Sequence, residues 1–418
     1  MSTVDTAARA GLWSRNFSLY FLARSVSLLG DAMLPVVTAL AVGELYGASG
    51  VGFVLAAWMV PFVALVLFGG VLADRFSPRR MMIGADVVRI VTQGGTAVAF
   101  FLGTPSLALL LVAGALSGAA AAMFQPGVNG MIPLVATDPQ RANATIKVAD
   151  AMAQLLGPGL AGLLIVLTGA GTVYTIDAAT YLVSALALLA LRLGPVPLAA
   201  AGSSMLRNLG QGWREFRSRT WMWSVILIWT VYGVALFGPL IPLGSTLVSG
   251  RLGAPAYGWI MSSLGAGTII GGLIALRLKP ARPLAAGAVG MFGFALIPLT
   301  IATHAPLPVL VAGHVGGGMA WAFWSVMWST SVQTQVSPEV LNRVTAYEIA
   351  GSVASIPLGQ ALAGPVAGAV GAENVLGVSV LVSVVGCVVL LVVPAIRRLR
   401  RVPLPAVARA EALACEPG

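Results

Sequence analysis

Long apolar stretches alternate with short polar breaks along almost the whole chain. A helix needs about 20 mostly apolar residues to cross a bilayer, because each residue adds about 1.5 Å across a hydrocarbon core about 30 Å thick. The pattern therefore predicts an all-α membrane protein with twelve crossing helices. The predicted spans are 17–43, 50–73, 81–102, 106–128, 143–168, 173–192, 221–244, 256–276, 284–303, 307–330, 344–369 and 374–395.

Composition places the chain in lipid rather than in water. Hydrophobic residues make up 58% of it and charged residues 9%, whereas a soluble domain carries about 25% charged residues. The sequence has two histidines, two cysteines and no Gly-x4-Gly-Lys-Ser/Thr phosphate-binding segment. It therefore predicts no metal site, no cofactor and no enzymatic activity.

The net charge of +10 is concentrated on one side of the predicted bundle. With the N-terminus in the cytoplasm, twenty of the 24 basic residues lie in cytoplasmic loops and tails, and the opposite loops hold only Arg251. Because cytoplasmic loops are enriched in Lys and Arg, we expect a bacterial cytoplasmic (inner) membrane protein with both termini inside. The charge therefore indicates lipid as a partner rather than nucleic acid, and we expect a monomer.

The polar stretch 193–220 divides the spans into two sets of six and is predicted to carry a short amphipathic helix. The segment Leu156-Gly157-x-x-Leu160-Ala161-Gly162 recurs 202 residues later as Leu358-Gly359-x-x-Leu362-Ala363-Gly364. Parallel repeats of this kind are typical of secondary transporters. The expected organisation is a first half 1–192, a linker 193–220, a second half 221–395 and a basic cytoplasmic tail 396–418.

The loop between the second and third spans sets one acid beside several bases. Its spaced residues are Gly70, Asp74, Arg75, Arg79 and Arg80. The loop resembles the cytoplasmic motif of the major facilitator superfamily, with Ser77 at a glycine position. The resemblance implies two pseudo-symmetric six-helix halves and a loop that latches them where its acid meets a helix N-terminus. The alternative is an ordinary loop that only follows the charge bias.

Other segments are similar to the enterobactin-exporter-like and macrolide-efflux-like drug:proton antiporters. They are Phe124-Gln125-Pro126-Gly127, Ile176-Asp177-Ala178-Ala179-Thr180-Tyr181-Leu182 and Tyr257-Gly258-Trp259. In the fifth span, Gly157, Pro158 and Gly162 resemble the end of the family's antiporter motif. The resemblance implies export driven by protons, and an ordinary Gly/Pro kink is the alternative explanation of the fifth span.

Charges inside the spans are the strongest mechanistic lead. A charge at the bilayer centre costs about 2.5–3.5 kcal/mol on insertion scales, so it seldom persists without a partner or a function. In the first span, Arg24 and Asp31 are seven residues apart, which returns both to one helix face. We predict Asp31 as the proton-coupling acid and Arg24 as its modulator or as a contact for an anionic substrate. A structural ion pair is the alternative.

Two further pairs have the spacing of a local ion pair within one helix. Asp86 and Arg89 in the third span are expected to support the loop latch. Lys147 and Asp150 repeat the spacing at the start of the fifth span, and Asp150 with Gln154 is a candidate for the substrate cavity.

Aromatic residues and a histidine complete the cavity candidates. Trp324 and Trp328 share one helix face and would form a wall for bulky, flat or cationic molecules, unless they serve helix packing. His314 is either a hydrogen-bonded packing residue or a second proton site. Asp177 and Glu348 are further candidates for a direct role.

The sequence favours a proton-coupled secondary transporter that exports a small amphipathic molecule, a drug or a secondary metabolite, by alternating access. Uptake by proton symport is one alternative, since the same acid couples either direction. A non-transporting membrane scaffold or sensor is another, and the intramembrane charges weigh against it.

Overall fold

The computed structural model describes residues 13–75, 77–103, 105–136, 138–193, 205–336, 344, 347–348 and 350–401. Within these ranges, side chains are described except at 67–75, 126, 129, 139–140, 205–209 and 211. The described ranges consist of helices and short connections, and they contain no strand.

Five helices make up the first part of the chain. Helix α1 bends sharply at Gly47 (φ 60°), so it consists of two antiparallel limbs, α1a (15–46) and α1b (48–75). The bounds are Arg15–Arg75 for α1, Pro78–Phe101 for α2, Leu107–Val135 for α3, Pro139–Thr168 for α4 and Ala170–Leu189 for α5.

The second part begins with a short helix, α6, followed by six long ones and a final turn. Helix α7 contains a π-helical turn at Gly233–Phe237, and α9 contains a 3₁₀ turn at Phe292–Ala295. The bounds are Met205–Ser218 for α6, Thr220–Leu252 for α7, Ala254–Arg277 for α8, Pro283–Ala302 for α9, Leu307–Gln335 for α10, Ala350–Val370 for α11, Ala372–Val392 for α12 and Pro394–Arg397 for α13.

Ten of the described helical segments are long and apolar enough to cross a membrane. The first of them contains both limbs of α1 and therefore crosses twice. Helix α2 has the length of a span but is less apolar, because it carries Asp86, Arg89 and Gln93. With α2 counted, the described chain crosses twelve times, as the hydrophobic pattern predicts.

Two helices continue well beyond the spans predicted for them. Helix α3 ends at Val135 rather than near residue 128, and α10 at Gln335 rather than near residue 330. In both cases polar or helix-bending residues mark the end of the apolar stretch but not of the helix. Hydrophobicity reports where the hydrocarbon ends, whereas backbone hydrogen bonds continue into the interfacial region.

Six tight turns join the crossing helices in pairs at one end of the bundle, which we call the turn face. Each turn contains a residue with positive φ, and these are Gly47, Gly103, Gly169, Gly253, His304 and Gly371. Glycine adopts this conformation without a steric penalty, which explains its presence at five of the six turns. The opposite end, where α1 begins, is called the N-terminal face.

The helices before and after α6 meet along a seam of small residues. On α4, Gly162 packs against Gly258 of α8, and on α11, Gly364 packs against Ser49 of α1b. The backbone N–H of Gly159 donates a hydrogen bond of 2.8 Å to Ser262 Oγ. These contacts lie between mid-depth and the turn face, so the described seam closes that side of the bundle.

One close approach within the first part tests this packing. The backbone of Gly118 on α3 lies against the backbone of Trp58 on α1b, and a Cβ at position 118 would overlap the Trp58 carbonyl group. We expect Gly118→Ala to destabilise the protein by about 1–3 kcal/mol, as overpacked sites do. The measurement is thermal unfolding of the purified protein in detergent.

Gly95→Ala is the matched control, because a Cβ at Gly95 of α2 meets no other atom within 4 Å. Since alanine favours a helix over glycine by up to about 1 kcal/mol, the melting temperature should stay the same or rise. Equal melting temperatures for the two variants would contradict the packing assigned to Gly118.

Candidate functional site

Asp31 lies near the middle of α1a and is held by groups from two other helices. The hydroxyl of Tyr181 on α5 donates a hydrogen bond of 2.6 Å to Asp31 Oδ1. A guanidinium nitrogen of Arg89 on α2 lies 3.9 Å from the same oxygen. The Asp31 side chain remains 37% exposed, whereas that of Arg89 is 7% exposed. The acid can therefore meet water or a solute, while its cation is enclosed.

Aromatic rings hold the cation in place. The guanidinium of Arg89 lies over the ring of Phe124 at 4.9 Å and over the ring of Tyr181 at 5.0 Å. The guanidinium of Arg24 also lies over Phe124, at 5.2 Å. Such contacts attract a cation to the face of the ring. Phe124 on α3 therefore shares its ring with two buried arginines.

Two more acids are buried close to this pair, and their surroundings differ. Asp86 on α2 is fully buried and accepts a hydrogen bond of 2.7 Å from Ser184 Oγ. Asp177 on α5 is 1% exposed, and neither of its carboxyl oxygens has a hydrogen-bond partner. Asp177 lies against the backbone of Gly30, where a Cβ would overlap its carboxyl oxygen. The absence of a side chain at Gly30 thus brings Asp177 beside Asp31.

The structure pairs these charges differently from the sequence-based prediction. Arg24 and Asp31 do lie on the face of α1a that joins this cluster, but among the described ion pairs Asp31 is joined to Arg89. Asp86 and Arg89 make no ion pair despite their local spacing. Seven residues separate Arg24 from Asp31, which places them about 10 Å apart along the axis of α1a. Arg89 comes from the neighbouring helix α2 and therefore lies closer to Asp31 than Arg24 does.

Tyr181 and Ser184 are the functional candidates that the sequence analysis did not assign. Both lie on α5, and with Asp177 they follow at spacings of four and three residues on one helix face. The signal was present in the sequence as a polar stripe on an otherwise apolar helix. Only the packing of α5 against α1a and α2 reveals which acid each hydroxyl meets.

The residues resembling an antiporter motif lie at the interface between the two sets of helices. Gly157 packs against Ala32 of α1a. The Pro158 carbonyl group and Gly162 both lie against Gly258 of α8. The small residues permit this close approach of three helices. The structure thus gives the motif a packing role, and its part in antiport remains a prediction.

Part of the predicted loop latch can be described. Arg79 donates hydrogen bonds to the last carbonyl groups of α5, from Nε to Leu188 O at 2.8 Å and from the terminal nitrogen to Leu189 O at 2.6 Å. Ser77 Oγ caps α2 by accepting from the Arg80 N–H. Serine here serves as an N-cap. The surroundings of Gly70 and the side chains of Asp74 and Arg75 lie outside what the structure describes.

The cavity candidates on α4 lie apart from the Asp31 cluster. Asp150 forms the predicted ion pair with Lys147, at 3.9 Å. Gln154 is exposed, and its backbone carbonyl group lies against Gly265 of α8. Their contact with a substrate remains a prediction.

The tryptophan candidates are covered by other rings rather than open to a cavity. Trp324 is 3% exposed and stacks on Trp229 at 4.8 Å and on Trp328 at 6.2 Å. Trp328 also donates a hydrogen bond of 2.9 Å to Glu348 Oε1. In this structure the two rings therefore belong to a stacked core, and their contact with a substrate remains a prediction.

His314 is also a core residue. It is 2% exposed, and its Nδ1 lies 2.8 Å from the carbonyl oxygen of Leu310, one turn earlier in α10. This is the hydrogen-bonded packing arrangement that the sequence analysis set against a second proton site.

Comparisons with known proteins agree with this architecture. A family model described as Major Facilitator Superfamily matches residues 20–347. The chain is 26% identical to the multidrug efflux pump Tap of Mycobacterium tuberculosis, with 92% of this chain and 95% of the relative covered. It is 22% identical to macrolide efflux protein A of Streptococcus pyogenes, with 87% and 92% covered. It is 25% identical to the enterobactin exporter EntS of Salmonella typhimurium, with 93% and 94% covered.

Solved transporter structures share the fold. The nucleoside transporter NupG superimposes with a TM-score of 0.70 at 16% identity, with 89% of this chain and 98% of that chain covered. A POT family transporter in complex with 5-aminolevulinic acid superimposes with a TM-score of 0.70 at 10% identity, with 94% and 99% covered. At these identities the likeness concerns the fold alone.

The cap that Arg79 places on α5 yields a stability prediction. Arg79→Gln removes two charge-assisted hydrogen bonds to carbonyl groups at a helix end. We expect a loss of about 1–2 kcal/mol, seen as a lower melting temperature in detergent. Arg80→Gln is the control, because Arg80 is exposed and its side chain has no hydrogen bond among the described residues. A larger loss for Arg80→Gln would overturn the assignment.

Proposed function

Because the chain belongs to the major facilitator superfamily, we propose that this multi-pass membrane protein exports a small amphipathic molecule from the cytoplasm in exchange for protons. The substrate would be a drug or a secondary metabolite of the cell. The names of three relatives, a multidrug efflux pump, a macrolide efflux protein and an enterobactin exporter, support export over uptake.

The observation that carries the proposal is the environment of Asp31. It is an acid at mid-depth in a membrane helix, partly exposed and held by one hydroxyl and one enclosed cation. Acids in this position mark ion and proton pathways in membrane proteins. A carboxyl group that is reachable by water can take up and release a proton, and it can bind a polar group of a substrate only when that proton is absent.

Competition between a proton and the substrate for Asp31 would couple the flow of protons to the flow of substrate. A proton on Asp31 removes its negative charge and the acceptor that a cationic or hydrogen-bonding substrate needs. A substrate on Asp31 prevents protonation in turn. If each ligand permits the change of access and neither can bind with the other, the proton gradient drives the substrate outward.

The seam supports alternating access. Small residues close the bundle from mid-depth to the turn face, so Asp31 would exchange with the N-terminal face in this conformation. The Lys and Arg bias of the loops supports a cytoplasmic location for that face and for both termini, in the inner membrane of a bacterium. The observed conformation would then be open to the cytoplasm.

The two halves would move as units, 1–192 and 221–395, joined by the linker 193–220 and followed by the basic tail 396–418. Rocking of these halves would separate the small residues of the seam and close the N-terminal face. The loop latch at 70–80 would stabilise that face when it is closed. One chain contains both halves and the complete acid cluster, which supports a monomer as the working unit.

The test uses the purified protein in liposomes with an imposed pH gradient. Lumenal pH is followed with a fluorescent dye while a panel of lipophilic compounds is added, ethidium and a macrolide among them. We expect at least one compound to dissipate the gradient with the wild type. Asp31→Asn should abolish this exchange, and Tyr181→Phe should slow it, because it removes the hydrogen bond that holds Asp31.

Glu44→Gln is the matched control for the loss of an acid from the same helix. Glu44 is an exposed residue near the turn face, so exchange should continue at the wild-type rate. If folded Asp31→Asn protein exchanges protons for a compound as the wild type does, the role assigned to Asp31 is wrong. Proton flux in the same direction as the compound would favour uptake by symport instead.

A further inference from the structure

The charges of the Asp31 cluster, in which Asp31 is partly exposed and the others are buried, do not balance when all of them are ionised. Two arginines, Arg24 and Arg89, face three acids, Asp31, Asp86 and Asp177, so the fully ionised cluster has one negative charge in excess. An uncompensated charge inside a membrane helix bundle is strongly unfavourable. One bound proton makes the cluster neutral.

Hydrogen bonds indicate which acid holds that proton in the observed state. Asp31 accepts a bond from Tyr181. Asp86 accepts one from Ser184 at one carboxyl oxygen, and its other oxygen is buried without a partner. Asp177 is buried, and neither of its oxygens has a partner. A neutral carboxyl group tolerates this environment far better than a carboxylate does. The proton therefore belongs on Asp177.

The contact between Arg89 and Asp31 is weak. It spans 3.9 Å, which is longer than a hydrogen bond, and the same guanidinium nitrogen of Arg89 is buried without a hydrogen-bond partner. The Arg89 guanidinium also lies over the ring of Tyr181, which is one helical turn from Asp177 on α5, and Asp177 lies against Gly30, the residue before Asp31. Arg89 is therefore near two carboxyl groups, of which one is exposed toward the cavity and the other is enclosed.

The other helices around the cluster do not supply a competing charge. Helix α3 has no ionisable side chain along its length. On α4, Lys147 and Asp150 pair with each other. Two phenols of α1a and α5 have partners of their own, since the Tyr20 hydroxyl donates to Val128 O and the Tyr174 hydroxyl is bonded to Thr38. A third phenol, Tyr181, donates to Asp31.

We propose that Asp31 and Asp177 share a single proton and that Arg89 pairs with whichever of the two acids is ionised. This inference rests on the proposed proton coupling and adds a second proton-carrying group to it. In the observed state the O–H bond is on Asp177, and Asp31 is the carboxylate paired with Arg89. In the alternative state that O–H bond has broken, one has formed on Asp31, and the guanidinium, still charged, has moved to Asp177.

The two acids then have different tasks. Asp177 stores the proton away from water, and Asp31 exchanges it with the cavity and competes for substrate. Gly30 allows this because a side chain at that position would displace the Asp177 carboxyl group. Arg89 keeps the cluster neutral in both states, since it always faces one carboxylate.

Infrared absorption of the full-length protein in liposomes, without substrate or gradient, tests the proposal. The carbonyl stretch of a protonated carboxyl group is identified by its shift between H₂O and D₂O. At neutral pH the wild type should have this band, and Asp177→Asn should lose it. Asp31→Asn should lose it as well, because Arg89 then pairs with an ionised Asp177. Arg89→Gln should increase it about twofold, since both acids then lose their cation and are protonated.

Glu44→Gln should leave the band unchanged. A band of wild-type intensity in Asp31→Asn would overturn the proposal, because Asp177 would then be a permanently neutral acid that exchanges nothing. If Asp177→Asn does not fold, the Asp31→Asn and Arg89→Gln spectra decide alone. Proton sharing in a protein that exchanges no compound for protons would overturn the proposed function and leave this inference standing.

Discussion

The arrangement of the first six crossing helices depends on the need to keep charge neutral inside the membrane. A single central charge costs about 2.5–3.5 kcal/mol on insertion scales, and five ionisable side chains meet here on α1a, α2 and α5. Their burial is tolerated because Arg89 faces Asp31 and because two aromatic rings cover its guanidinium. From its place on α2, Arg89 contacts Asp31 of α1a, Phe124 of α3 and Tyr181 of α5, which is why these helices are bound to one another by more than apolar packing.

Close packing of small residues is the second constraint on the structure, and it operates at the seam between the two sets of helices, outside the acid cluster. Lipid gives apolar helices no reason to bury their surface against one another, so close backbone contact must supply the attraction. The contacts of Gly162 with Gly258 and of Gly364 with Ser49 are of this kind. Such contacts are weak individually and leave few side chains to interlock. A seam built from them can separate and form again without unfolding a helix.

The comparison of sequence and structure separates what periodicity determines from what packing determines. The all-α fold with twelve spans, and membership of the major facilitator superfamily, are confirmed. Span positions follow from hydrophobic length, which is local. Asp31 could be singled out because an acid in an apolar helix is itself a signal. Its partners could not, because Arg89 and Tyr181 come from helices 58 and 150 residues away along the chain.

The tryptophans are a second example of partners that the sequence does not reveal. A shared helix face predicts that Trp324 and Trp328 lie side by side, as their stacked rings do, but it does not say whether that face meets a cavity or another helix. Trp221 and Trp229 of α7 cover them. The outcome depends on the rotation of α10 about its axis, and a helix without a polar stripe carries no sequence signal for that rotation.

The acid cluster and the seam are close enough to act on each other. Gly157 of α4 packs against Ala32, the residue that follows Asp31, and two residues later the N–H of Gly159 donates to Ser262 of α8. A shift of α1a that accompanies a change of partner at Arg89 would therefore press directly on the helix that holds the two halves together. Because Gly157 has no side chain to yield, such a shift is transmitted to the α4 backbone rather than absorbed by a rotamer change. In the proposed transport cycle, the protonation state of the acids and the closure of the turn face would thus be linked through a single turn of α4.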